Sequence, residues 1–137
     1  MAEIDIFYEG DLATRVVHLE NGAEIATDAP KDNQGLGRFF SPTDLLAVSL
    51  GSCALTLMGI AARRLQIDLK GLRARVTKEM QTAPVRRIGR VTIELYCPQR
   101  FGEEVTRKLS HAAENCPVTL SLHSDVVQTF IYHWGQP

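Results

Sequence analysis

From Leu45 to Ala62 this chain runs 18 residues without a charge. No other stretch constrains the fold so strongly. A run of that length sits at the lower edge of what spans a bilayer. It carries Ser49, Gly51, Ser52, Thr56 and Gly59, and lacks the aromatic residues that membrane-spanning helices place at their interfaces. The segments on either side alternate like amphipathic strands and would have no core without it. The expectation is therefore a helix inside a soluble domain, with no membrane. A helix apolar all round must be covered on every side. A chain of 137 residues has little material for that, so a second subunit is expected to complete the cover.

The ends of this helix are legible. In Ser41-Pro42-Thr43-Asp44, Ser41 suits the cap, Pro42 the first helical position, and Asp44 the positive end of the helix dipole. Arg63 and Arg64 suit the negative end, which predicts a long central helix over 42–66. Upstream, residues 3–8 and 13–19 read as strands. Asn21-Gly22, between Val16-Val17-His18-Leu19 and Glu24-Ile25-Ala26, predicts a type I′ hairpin because both central residues of that turn need positive φ. Residues 28–40 form a loop ending in Arg38-Phe39-Phe40. It is long for a compact domain, which marks it as functional or as a partner contact. Downstream, 72–80 and 88–96 alternate as strands and 102–114 has helical spacing. Cys116-Pro117 opens a short helix, and 125–134 reads as a last strand carrying Phe130, Tyr132 and Trp134. Three strands, a long helix, two strands, two helices and a strand make an α+β fold, not the alternating pattern of a nucleotide-binding sheet. No glycine-rich phosphate loop follows a strand, so no nucleotide cofactor is expected. Without repeats or a linker, one domain over 1–137 is expected.

Charge narrows the partners. The net charge of −1 advertises no polyanion, and Arg86, Arg87 and Arg90 lack aromatic interleaving, so they predict a solvated strand edge and no nucleic acid. The start, Met1-Ala2-Glu3-Ile4-Asp5, is acidic and strand-like, unlike a secretory signal. With three cysteines and no tight Cys-x-x-Cys pair, the expectation is free thiols in a reducing cytoplasm.

The cysteines are the residues that could carry chemistry. Cys53 lies about three turns into the long helix, beyond reach of the dipole, which fades within the first turn. By itself it reads as a small hydrophobe, reactive only if tertiary structure brings it a cation. Cys116 precedes a proline, which favours the extended backbone of an N-cap and would turn its sulfur toward free backbone N–H groups that favour thiolate. Capping alone would explain it equally well. Cys97, before Pro98, reads as packing. A zinc site from Cys116, His123 and either His111 or Cys53 matches no paired-ligand spacing, so no metal is expected. His18, His111, His123 and His133 are scattered and read as surface or core residues.

Taken together, Ser-Pro-x-x-Leu-Leu-Ala, a Cys in the same helix, and Cys-Pro-Val after the next helix resemble the OsmC/Ohr family of thiol peroxidases, over most of the chain. The resemblance implies an intertwined homodimer, with long helices inside and active sites at the subunit interface. It implies a hydroperoxide substrate, no cofactor, and a two-cysteine cycle. Cys53 attacks the peroxide and becomes sulfenic acid, Cys116 condenses with it to a disulfide, and an external dithiol reduces the pair. The family uses an arginine to hold the attacking thiolate; Arg15 is the nearest positional match and Arg38 the next. In the better-known branches a glutamate after the Ser/Asn-Pro orients that arginine, whereas Thr43 stands here, and Asp44 points about 100° further round the helix. The chain is thus closer to the broader OsmC-like branch. Phe39, Phe40 and Thr43 would line a pocket, and a binding protein for a hydrophobic small molecule is the alternative reading. A structural protein with inert thiols is the third. Local physics favours Cys116 as thiolate while the family makes Cys53 the attacker. Both can hold, since a low-pKa thiol is also a good leaving group.

Overall fold

The computed structural model describes residues 1–137 and has an α+β order: β1 (Ile4–Gly10), β2 (Ala13–His18), β3 (Glu24–Asp28), α1 (Pro42–Leu65), β4 (Arg73–Gln81), β5 (Arg87–Cys97), α2 (Glu103–Glu114), α3 (Pro117–Ser121) and β6 (Val127–Trp134). The chain separates into two compact units, Met1–Leu46 and Ala47–Pro137.

In the first unit, β1, β2 and β3 form an antiparallel meander, with Phe7 opposite Arg15 and Arg15 opposite Ala26. The type I′ expectation at Asn21-Gly22 is not met. Gly22 has positive φ but Asn21 does not. Asn21 instead spends its side-chain oxygen on the N–H of Ala23 (2.9 Å), and the hairpin closes more widely, with His18 N–H bonded to Ala23 O and Gly22 N–H to His18 O. Positive φ at two successive central residues occurs at Asp11 (51°) and Leu12 (64°), between β1 and β2. The long segment after β3 is not a plain loop. It makes a 3₁₀ turn over Lys31–Asn33 and returns so that Phe40 bridges Thr27 in parallel. Gly35 is required there, since a Cβ would fall on the carbonyl of Ala29.

α1 starts as its sequence dictates. Ser41 Oγ accepts from Asp44 N–H (3.1 Å) and Asp44 Oδ2 accepts from Ser41 N–H (2.9 Å), a reciprocal cap. It ends at Leu65, one residue before the expected stop, because Gln66 turns left-handed (φ 56°) and Ile67 N–H closes back on Ala62 O. Its buried residues, Ala47, Leu50, Gly51, Ala54, Met58 and Ala62, form one stripe. Only 33% of its most apolar 18-residue stretch is buried within the chain.

In the second unit, β4 and β5 are antiparallel and β6 joins β5 in parallel. Val91, Ile93, Leu95 and Cys97 alternate inward along β5 and are fully buried or nearly so, with Leu109 and Ala113 of α2 and the α1 stripe completing the core. Tyr132 of β6 reaches α2 through its hydroxyl, which donates to Ser110 O (3.2 Å).

Gly51 sets the approach of α1 to β4: a Cβ there would lie 2.6 Å from Val76 Cγ2. Alanine at an ordinary helix position gains about 1 kcal/mol over glycine, whereas overfilling a packed contact costs ~1–3 kcal/mol. Gly51→Ala should therefore destabilise in urea unfolding despite its better helix propensity, and Val76→Ala in the same chain should recover part of the loss. A stabilising Gly51→Ala would refute this packing.

Candidate functional site

The second unit brings two of the three thiols together. Cys53 lies on the shoulder of the buried α1 stripe, one residue and so about 100° from Ala54. It is partly exposed, while Cys116 is fully buried. The two thiols are near enough for each to shift the other's ionisation. Cys116 has the extended backbone of an N-cap (φ −78°, ψ 153°), because the proline after it excludes the helical region. Its sulfur accepts from Thr119 N–H at 3.4 Å and lies 3.2 Å from Thr119 Oγ1. The thiol donates to that hydroxyl when protonated; once it is ionised, the hydroxyl can rotate to donate to it.

These surroundings push the two thiols apart. Burial raises Cys53, and the neighbouring Cys116 thiol raises it further, against a smaller lowering by the Val118 N–H. Burial would raise Cys116 too, but the hydroxyl and N–H of Thr119, the Cys53 thiol and the Val118 N–H outweigh it, and Cys116 falls below the ordinary thiol value of 9.0. Cys116 thus behaves as its place before Pro117 predicts for an N-cap sulfur. Thr119 was missed; its place three residues after the cap, where the side chain and N–H both face a capping group, could have found it. Cys97 is buried, donates to Gln99 Oε1 (3.3 Å), and is raised by burial.

The first unit holds the other candidates. Arg15 pairs with Glu9 (3.1 Å) and Glu24 (3.3 Å) and lies over the Phe7 ring, all in the open; exposed pairs of this kind contribute little. Arg38 is more firmly held. Asp28, with no exposed surface, accepts from Arg38 N–H (3.0 Å) and Nε–H (2.8 Å) through Oδ2, while its Oδ1 is buried without a partner. Arg38 also borders an open cavity of about 530 Å³ walled by Ile25, Ala26, Phe39, Phe40 and Asp44. The Thr43 hydroxyl faces Ser41 Oγ (3.1 Å).

Among the histidines, His133 meets Glu94 (3.3 Å) and stacks on Tyr96, and His111 meets Asn115. The Nδ1 of His18 is buried without a partner.

Comparison with known proteins agrees with this architecture. Residues 34–130 match the family described as OsmC-like protein, and the chain belongs to the OsmC/Ohr family. A crystal structure from Psychrobacter arcticus 273-4, of a protein provisionally described as an osmotic stress induced and detoxification response protein, is 46% identical with a TM-score of 0.92, covering 97% of this chain and 96% of that one. An organic hydroperoxide resistance protein OsmC from Legionella pneumophila shares the fold at 14% identity and a TM-score of 0.79, covering 97% and 96% of the two chains. A Vibrio cholerae protein, provisionally described as an organic hydroperoxide resistance protein and holding captopril in one of its active sites, shares it at 18% identity and a TM-score of 0.76, covering 96% and 90%. No curated protein matches the chain.

The hydrogen bonds of Arg38 hold the Asp28 carboxyl below its ordinary value of 3.8. Its stabilisation is then fully present above that value and fades as pH falls through the lower, folded-state value. Asp28→Asn should melt earlier than the wild type at neutral pH, with the gap between their melting temperatures narrowing steadily toward pH 3. A gap that is constant with pH would show that the carboxylate charge contributes nothing.

Proposed function

We propose that this chain is a thiol-dependent peroxidase that reduces organic hydroperoxides through Cys53 and Cys116. The observation that carries the reading is the neighbouring pair of thiols, one partly exposed and the other buried. Cys53 as thiolate attacks the distal peroxide oxygen. The O–O bond breaks, the alkoxide leaves and takes a proton to become the alcohol, and Cys53 becomes sulfenic acid. Cys116 thiolate then attacks the Cys53 sulfur, the S–O bond breaks, and water leaves after protonation. An external dithiol returns two electrons and two protons, so no bound cofactor is needed. A reducing cytoplasm suits that recycling. The relatives described for hydroperoxide resistance support the substrate class.

A cation serving the attacking thiolate belongs to this reading. Arg38, fixed by a buried carboxylate, is the better candidate than Arg15, whose partners are exposed. An intertwined homodimer belongs to it as well. Val48 and Ile60 on α1 are 45% and 41% exposed, and Ile6 and Tyr8 on β1 are 65% and 70% exposed, surfaces that a second subunit would cover. Light scattering should find two chains per particle.

A second reading has one observation in its favour, the apolar cavity walled by Ile25, Phe39 and Phe40. A binding protein for a hydrophobic small molecule would use it. An apolar ligand retained in native mass spectrometry, together with absent turnover, would select this reading.

With a dithiol reductant, the wild type should consume organic hydroperoxides while Cys53→Ser falls to the uncatalysed background. One equivalent of peroxide should produce a Cys53–Cys116 disulfide on peptide mapping. Equal inactivity of both proteins over a panel of organic peroxides and hydrogen peroxide would end the peroxidase reading.

A further inference from the structure

We propose that Thr119 directs the reduction of the Cys53–Cys116 disulfide: the incoming dithiol attacks Cys53, and Cys116 leaves as the thiolate that Thr119 receives. This rests on the peroxidase reading and assigns the course of its second half, the return of the pair to thiols.

Either sulfur of a disulfide can be attacked. Access to the attacked sulfur and the stability of the departing thiolate decide between them. Access favours Cys53, which is partly exposed, over Cys116, which has no exposed surface. The departing charge favours Cys116. Its sulfur accepts from the Thr119 N–H at 3.4 Å and lies 3.2 Å from the Thr119 hydroxyl. That hydroxyl accepts from the thiol and, once the proton is gone, can turn to donate. A hydrogen bond to an ionised group is about twice as strong as a neutral one, so Thr119 stabilises the thiolate more than the thiol. Cys53 lies inside α1, where the backbone N–H groups are spent on helical bonds. The downward shift of Cys116 from the ordinary thiol value agrees with this geometry. Access and leaving-group stability thus select the same direction of attack.

Thr119 is a positioning residue in this scheme and is itself held. Gln128 of β6 donates from Nε2 to the Thr119 carbonyl (3.1 Å), which ties α3 to the sheet. Within α3, Leu120 N–H is bonded to Cys116 O (3.1 Å), and Ser121 Oγ donates to Pro117 O (2.7 Å). The donors of Thr119 are therefore fixed beside the Cys116 sulfur. The steps balance. A reductant thiolate attacks Cys53 Sγ, the S–S bond breaks, and its electron pair goes to Cys116 Sγ. The reductant is then joined to Cys53. Its second thiolate attacks its own sulfur in that bond, and Cys53 departs as thiolate. The reductant leaves as a cyclic disulfide, having supplied two electrons, and its two protons pass to the two cysteines.

The disulfide can be closed with diamide, so its reduction can be followed whether or not the protein turns over peroxide. Glutathione, a monothiol, is added to the oxidised protein, acid stops the reaction within the first turnover, and peptide mapping locates the adduct. Glutathione should be on Cys53 with Cys116 free; an adduct chiefly on Cys116 overturns the proposal. Thr119→Val keeps the shape of the side chain and loses the hydroxyl. Dithiothreitol should reduce its disulfide roughly fivefold more slowly than that of the wild type. Its equilibrium with dithiothreitol should shift about tenfold toward the disulfide, a potential about 30 mV lower. Thr119→Ser should restore both. An unchanged potential in Thr119→Val, whatever its rate, would make Thr119 merely structural and overturn its part. A wild type inert to every peroxide ends the peroxidase reading and leaves the direction of attack to be decided by the adduct. Failure of diamide to join Cys53 to Cys116 ends both.

Discussion

Because residue 51 carries no side chain, α1 can lie with its backbone close to Val76 of β4, and that approach fixes the role of each face of the helix. The stripe from Ala47 to Ala62 is pressed onto the inward face of the sheet, where Val91, Ile93 and Leu95 meet it as core. A residue 100° away from that stripe is neither core nor free surface. Cys53 occupies such a shoulder, so its thiol is desolvated enough to resist ionisation and open enough to meet a small molecule.

Cys116 reaches the same place by a different physical route. Its position follows from a proline that forbids the residue before it a helical backbone, and from a helix start whose free N–H groups need an acceptor. A serine or aspartate would satisfy them as well; a cysteine satisfies them while becoming easier to ionise. The two sulfurs therefore meet with opposite tendencies, the pKa of one raised by burial and that of the other lowered by donors. Pairs of titratable groups driven apart in this way are a mark of acid–base chemistry.

Much of this was legible in the chain. The cap at Ser41-Pro42-x-Asp44, the inward residues of β5 and the Cys-Pro helix start depend on local geometry and on periods of 2 and 3.6, which a sequence displays directly. The turns were less legible. Asn21 diverted its side chain to a neighbouring N–H, and two successive left-handed non-glycine residues fell at Asp11-Leu12, just after Gly10, which is also at positive φ. The grip of Asp28 on Arg38 joins residues ten apart through a segment that folds back beside β3, and no periodicity encodes such a return. The contact between the thiols is of the same kind, since it depends on α2, α3 and the sheet closing over α1. Resemblance to a family pointed to it; the residues around Cys53 did not.

The length of chain between the two cysteines has a bearing on folding that is separate from catalysis. A bond between them would close a loop of about 60 residues containing β4, β5 and α2, and so most of the core. Tethering the ends of such a loop removes unfolded-chain entropy worth ~4 kcal/mol, a large share of the total stability of an ordinary domain. An oxidised molecule would thus resist unfolding better than a reduced one with the same contacts. The oxidation state of this pair would then be recorded in how long the chain survives heat or a protease.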